Sequence, residues 1–62
     1  MTNWKLKVKI VERFKTQWRF AQHLGVDSAE VSRVVIGARE ISETKKEKWA
    51  KELDSTSKEL FG

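Results

Sequence analysis

Sixty-two residues carry 13 Lys+Arg against 9 Asp+Glu, a formal charge of +4, with 39% apolar and 35% charged side chains and no Cys. That balance excludes a disordered chain of low hydrophobicity and a membrane span, and the missing thiols exclude disulfides and thiolate metal sites. A domain this small holds one core and no deep substrate pocket, so the expectation is a binding protein with an anionic partner and no cofactor, not an enzyme.

Trp4, Leu6, Val8 and Ile10 alternate with Lys5, Lys7 and Lys9, a strand-like period of two. A helix accounts for the same residues: Leu6, Ile10 and Phe14 fall at i, i+4, i+8, with Trp4, Val8 and Val11 as an adjoining stripe. The alternation fails at Val11 and Asn3 is a good N-cap, so the spacing predicts a helix over 4–14, with a strand as the competing reading. The same lysines interrupt the apolar stretch a signal peptide would need, which points to a cytoplasmic protein.

Thr16 can cap a second helix over 17–24, with Phe20, Ala21 and Leu24 facing inward and Gly25 ending it in a left-handed turn. Val26 can plug back onto the core. Asp27 opens a third helix, with Glu30 three residues on as a capping-box-like pair, Val31 and Val34 facing inward, and Gly37 closing it. Ser42 can cap a fourth helix over 43–53. Its inner face is Trp49, Ala50 and Leu53, and Lys45, Lys46 and Lys48 make its first turns polar, held by lysine stems if at all. Ser55 or Ser57 can start a last turn bearing Leu60 and Phe61. The expectation is one all-α domain over 1–62, of four or five helices.

Charge is uneven along the chain. Residues 1–26 hold six basic groups and one acid, a net +5, while residues 27–62 hold seven basic and eight acidic groups, a net −1. A solvated basic face and a phosphate-facing end both fit this distribution.

The run from Thr16 to Gly37 resembles the helix-turn-helix of the phage Cro and repressor family, also called lambda-repressor-like or XRE. The matching features are Thr16-Gln17 at a helix start, Phe20-Ala21, then Leu24-Gly25-Val26, Val31-Ser32-Arg33 and the closing Gly37. The likeness is good over 16–37 and loose over 6–53. Each feature also has a physical reason: Ala21 lets two helices cross closely, Gly25 takes the turn, and Val26, Val31 and Val34 lock the second helix on the first. Val35 and Ile36 depart from the family by being apolar, Lys46 by being charged, and Trp18 by occupying a solvent-facing position.

The resemblance implies a lambda-repressor-like fold that binds double-stranded DNA, with the third helix in the major groove. By position, Ser28, Ala29, Ser32 and Arg33 would read base edges. A guanidinium can grip guanine O6 and N7 bidentately, Ala29 can touch a thymine methyl, and Ser28 can reach a base or a phosphate. Glu30 either caps the helix or accepts from a cytosine amino group, the cap being the stronger reading. Lys15, Gln17, Arg19 and Arg39 would hold phosphates. The implied role is a Cro-like transcriptional regulator, a repressor occupying a palindromic operator as a dimer, in the cytoplasm of a bacterial or phage-infected cell. With no second domain, the dimer contact is expected at Leu60, Phe61 and the end of the fourth helix.

The competing reading is an antitoxin or protein-interaction adaptor on the same helices, with Trp18, Val35 and Ile36 as its contact patch. Other groupings carry less. His23, Asp27, Ser28 and Ser32 supply the residue types of a hydrolase triad, but without a pocket or oxyanion site this is coincidence. A lone His without Cys partners makes no metal site. Trp4 and Trp49 read as core residues, Trp18 as a cover for the junction of the first two helices or a protein contact, and Val35-Ile36 as extra core.

Overall fold

The structure, a computed structural model, describes residues 2–62. Among them are five helices and no strands: α1 (Trp4–Phe14), α2 (Gln17–Leu24), α3 (Ser28–Val35), α4 (Glu43–Glu52) and α5 (Ser57–Phe61). They form one small all-α body of 23 × 23 × 20 Å. No helix among the described residues is long and apolar enough to cross a membrane.

The helix starts follow from capping chemistry. Each leaves its first N–H groups without intrahelical partners, and a side-chain oxygen just ahead accepts from one of them. Asn3 Oδ1 accepts from Leu6 N, Thr16 Oγ1 from Arg19 N and Ser42 Oγ from Lys45 N. The last helix is capped by Thr56, whose hydroxyl accepts from Glu59 N, and not by Ser55 or by Ser57, which is its first residue. Ser55 instead donates its hydroxyl to Glu59 Oε2.

Asn3 does more than cap. Its Nδ2 donates to the Leu60 carbonyl at 2.7 Å and its backbone N–H to the Val35 carbonyl at 2.6 Å. One residue thus joins the start of α1 to the C-terminal ends of α3 and α5.

The turns use positive φ where the chain must reverse. Gly25 sits at φ 75°, ψ 27°, in the left-handed region that glycine enters without a Cβ clash. Its N–H reaches Gln22 O, and Val26 N reaches Ala21 O, which occupies the last carbonyls of α2. Lys15, between α1 and α2, takes φ 72°, ψ −42° as a non-glycine residue.

A single core gathers Leu6, Ile10, Phe20, Ala21, Val31, Val34, Val35, Ile41, Trp49, Ala50, Leu53 and Leu60. Phe20 is its hub, with its ring 5.0 Å from Phe14 and edge-on to Trp49 at 5.6 Å. Phe14, Leu24, Val26 and Phe61 pack against the rim. α2 and α3 make the most extensive contact of any helix pair, and α1 lies across both.

Several sequence expectations are corrected. Trp4 is not core: it is 64% exposed, and Val8 and Val11 of the same stripe are half-exposed. Two apolar stripes share α1, and the Leu6–Ile10 stripe alone faces inward. The Val35-Ile36 pair divides, Val35 inside and Ile36 half-exposed, because adjacent helical residues point about 100° apart. Leu60 is fully committed to the core at 3% exposure, so its side chain is spent within the chain and not available to a second copy. Phe61 is partly buried under Lys46, whose Nζ lies 5.8 Å from the ring centre. Lys46, charged where the family pattern expects an apolar residue, therefore covers core with its stem.

Candidate nucleic-acid interface

The short turn Gly25–Asp27 fixes α3 beside α2 and leaves one side of α3 outside the core. Val31, Val34 and Val35 face inward, which turns Ala29, Ser32 and Arg33 to solvent. Ser28 is half-buried at the first turn. Arg33 makes no ion pair among the described residues, so its five N–H donors are presented unpartnered. Small side chains around a long planar donor allow close approach to a flat or grooved surface.

The start of α2 adds a second set of donors. Thr16 caps Arg19 N, Gln17 is the first residue of the helix, and Lys15 and Arg19 are exposed and make no ion pair among the described residues. A helix N-terminus carries a partial positive charge and unpaired N–H groups, so these residues and the helix end favour an anion in the same place.

Arg39 is in a different position. Its Nε lies 3.4 Å from Glu30 Oε1, and Lys45 Nζ lies 3.9 Å from the same oxygen. This corrects the reading of Glu30 as a reciprocal cap. Asp27 Oδ1 accepts from Ala29 N, two residues on, and the Glu30 carboxylate turns to the two cations from the α3–α4 connection and α4. No local pattern signals this pairing, since it joins residues brought together only by the fold.

Trp18 is 60% exposed. It shares a shallow cleft with Ala21, Gln22, Val26, Asp27 and Ser28. The indole therefore lies on the α2–α3 side, next to the start of α3, and not over the α1–α2 junction. An exposed indole beside Ser28 extends the candidate surface with a flat apolar face.

The triad types are not assembled. Asp27 is committed to its cap, and His23 Nε2 lies 2.8 Å from Glu52 Oε2, linking α2 to α4, with its ring 5.0 Å from that of Phe14. The hydrogen bond from His23, and then its charge, hold the Glu52 carboxyl below the ordinary carboxylate value. No group of three or more His, Cys, Asp or Glu among the described residues is placed to hold a metal ion.

No family model matches the chain, and neither does any curated protein or any solved structure.

Proposed function

We propose that this chain is a sequence-specific double-stranded DNA-binding regulator in the manner of the Cro and repressor family it resembles, with α3 in the major groove. The observation that carries the reading is the outer face of α3. It holds Ala29, Ser32 and an unpaired Arg33, beside a helix start furnished with Gln17, Arg19 and Lys15. Ser28, Ala29, Ser32 and Arg33 would meet base edges, and Lys15, Gln17 and Arg19 would meet phosphates. Arg39 joins the phosphate set only by leaving Glu30. Trp18 stands where it can lie against the sugar-phosphate wall.

One such helix reads few base pairs, so the proposal includes two copies on a palindromic site, their recognition helices about 34–36 Å apart. Occupancy of the site would repress by blocking polymerase. With Leu60 spent on the core, Phe61 is the one of the two expected contact residues that retains exposed surface for the pairing.

Selection of bound sequences from a random duplex pool tests the reading, and a symmetric enriched site is expected. On that site Arg33→Ala should lose about 1–3 kcal/mol of discrimination at one base position. Gln17→Ala should weaken all sequences alike. Unenriched pools, or identical binding by both variants, would refute the proposal.

A further inference from the structure

The exposed stripe of α1 lies outside the residues assigned to DNA in the proposal above, and it forms one wall of a groove. Trp4, Lys5, Val8 and Lys9 of α1 face Glu59 and Leu60 of α5 across a shallow depression of about 350 Å³. Leu60, buried, lies on the α5 side, while Trp4 and Val8 line the α1 side half-exposed or more. Val11 continues the stripe one turn further, at 49% exposure. Lys7 lies over the Trp4 ring, its Nζ 5.0 Å from the centre.

We propose that this α1–α5 groove docks an acidic amphipathic segment of another protein, an apolar side chain entering against the exposed Trp4 and Val8 and carboxylates meeting Lys5 and Lys9. Charge complementarity carries the choice of occupant. α1 holds Lys5, Lys7, Lys9 and Arg13 against the single acid Glu12. The one carboxylate lining the groove, Glu59, already accepts the Ser55 hydroxyl at 2.9 Å. An apolar groove with a cationic rim is matched by a helix or strand that interleaves apolar and acidic residues.

A second copy is a poor fit. A two-fold contact through this groove would set the lysine row of one copy, Lys5, Lys7 and Lys9, against the lysine row of the other. A head-to-tail contact needs an exposed apolar side chain set among acids, and the described residues offer none: Trp18 shares its cleft with the single acid Asp27, which already caps α3. The chain's other exposed large apolar residues are Trp18 and Ile36. They lie next in sequence to Gln17 and Arg19 and close to Arg33 and Arg39 respectively. A lipid surface is also a poor fit, since the apolar atoms line a concavity and a planar headgroup layer presents nothing to enter it. The proposal concerns a face separate from the DNA-reading one, so it stands or falls independently of the function proposed above.

The test uses the full chain, isotope-labelled, and a synthetic peptide of about 15 residues with leucines at i, i+4 and i+8 and glutamates between them. Peptide addition should shift amide resonances over residues 4–11 and 57–61. Lys5→Glu with Lys9→Glu should weaken binding about tenfold, and a glutamine-for-glutamate peptide should lose a similar factor. Arg33→Ala should leave peptide binding unchanged. Lys5 and Arg33 are exposed and Lys9 is half-buried, and helicity by circular dichroism checks the fold. If the double charge reversal fails to fold, Lys5→Gln with Lys9→Gln replaces it, with a smaller loss expected in the same direction. Four results would overturn the proposal: shifts confined to α2 and α3, equal affinity for the glutamine peptide, concentration-dependent self-association through residues 4–11, or response only to phosphatidylglycerol vesicles.

Discussion

Two basic surfaces sit on this small body, and they differ in what surrounds the charge. The outer face of α3 carries Ala29, Ser32 and Arg33, small and polar around one long donor. The α1–α5 groove carries Lys5 and Lys9 around Trp4 and Val8. The first can stay hydrated until a partner with hydrogen-bonding edges arrives. The second gains by losing water from apolar carbon, so its partner must bring carbon as well as charge. Positive charge alone therefore does not assign a nucleic-acid role, and the side chains interleaved with it separate the two surfaces.

The largest expected effect removes both surfaces together. Phe20 is fully buried and touches the rings of Phe14 and Trp49. Phe20→Ala should cost about 3–5 kcal/mol, the whole stability a domain this small can command. Circular dichroism at 25 °C should show an unfolded chain that binds neither DNA nor peptide. A folded variant would mean that the core does not depend on this hub.

Asn3 is the next lever, because it ties α1 to the ends of both α3 and α5. Asn3→Ala removes the oxygen that accepts from Leu6 N and the amide that donates to Leu60 O. The expected loss is about 1–3 kcal/mol, combining a helix cap with one further hydrogen bond. Asn3→Asp keeps the capping acceptor and removes the donor to Leu60, so its thermal midpoint should fall between those of wild type and Asn3→Ala. The groove should be the surface disturbed more, since the Leu60 bond holds one of its walls.

How much of this contrast was legible beforehand depends on range in sequence. The helices, the caps at Asn3, Thr16 and Ser42, and the turn at Gly25 are local matters, and the residues declare them within three or four positions. The α1 stripes are not local. Leu6–Ile10 and Trp4–Val8–Val11 are both apolar at helical spacing, and only the placement of α2, α3 and α5 decides which one is covered. That is why Trp4 read as core. Ile41 is buried in the connection between α3 and α4. A lone apolar residue between Glu40 and Ser42 has no periodicity to announce it. Glu30 read as a cap because Asp27 stands three residues before it, while the cations that claim it, Arg39 and Lys45, approach through the fold. The all-α architecture and the outward position of Arg33 followed from the pattern alone.

Glu30 also offers a way to sharpen the contrast on the α3 side. With Glu30→Gln, Arg39 and Lys45 lose their shared carboxylate while the exposed face of α3 keeps its side chains. Stability should change by less than about 1 kcal/mol, since both cations are half-exposed. On the proposed DNA reading, the freed Arg39 adds a phosphate contact. The salt dependence of binding should then steepen by about 0.9 in log–log slope, with base preference unchanged. Peptide binding at α1–α5 should not respond.

The smallest effect concerns the link that holds α4 to α2 behind both surfaces. The His23 hydrogen bond, with weaker help from the charges of His23, Lys48 and Lys51, lowers the pKa of Glu52 from its ordinary value of 4.5. A carboxylate with a lowered folded-state pKa stabilises the fold above its unfolded pKa. That contribution fades as pH falls from about the ordinary value through the lowered one. Wild type should therefore lose its advantage over Glu52→Gln on acidification through that window and hold it at neutral pH. Thermal midpoints measured from pH 7 to pH 3 check this. The pair is exposed, so added salt should shrink the difference at neutral pH. A difference that persisted unchanged at pH 3 would mean that the ionised carboxylate held by His23 is not what stabilises the fold, since glutamine keeps the same stem and differs only at the head group. In that case the α2–α4 link would not depend on the charge of Glu52, and the body behind the two surfaces would be as firm in acid as at neutral pH.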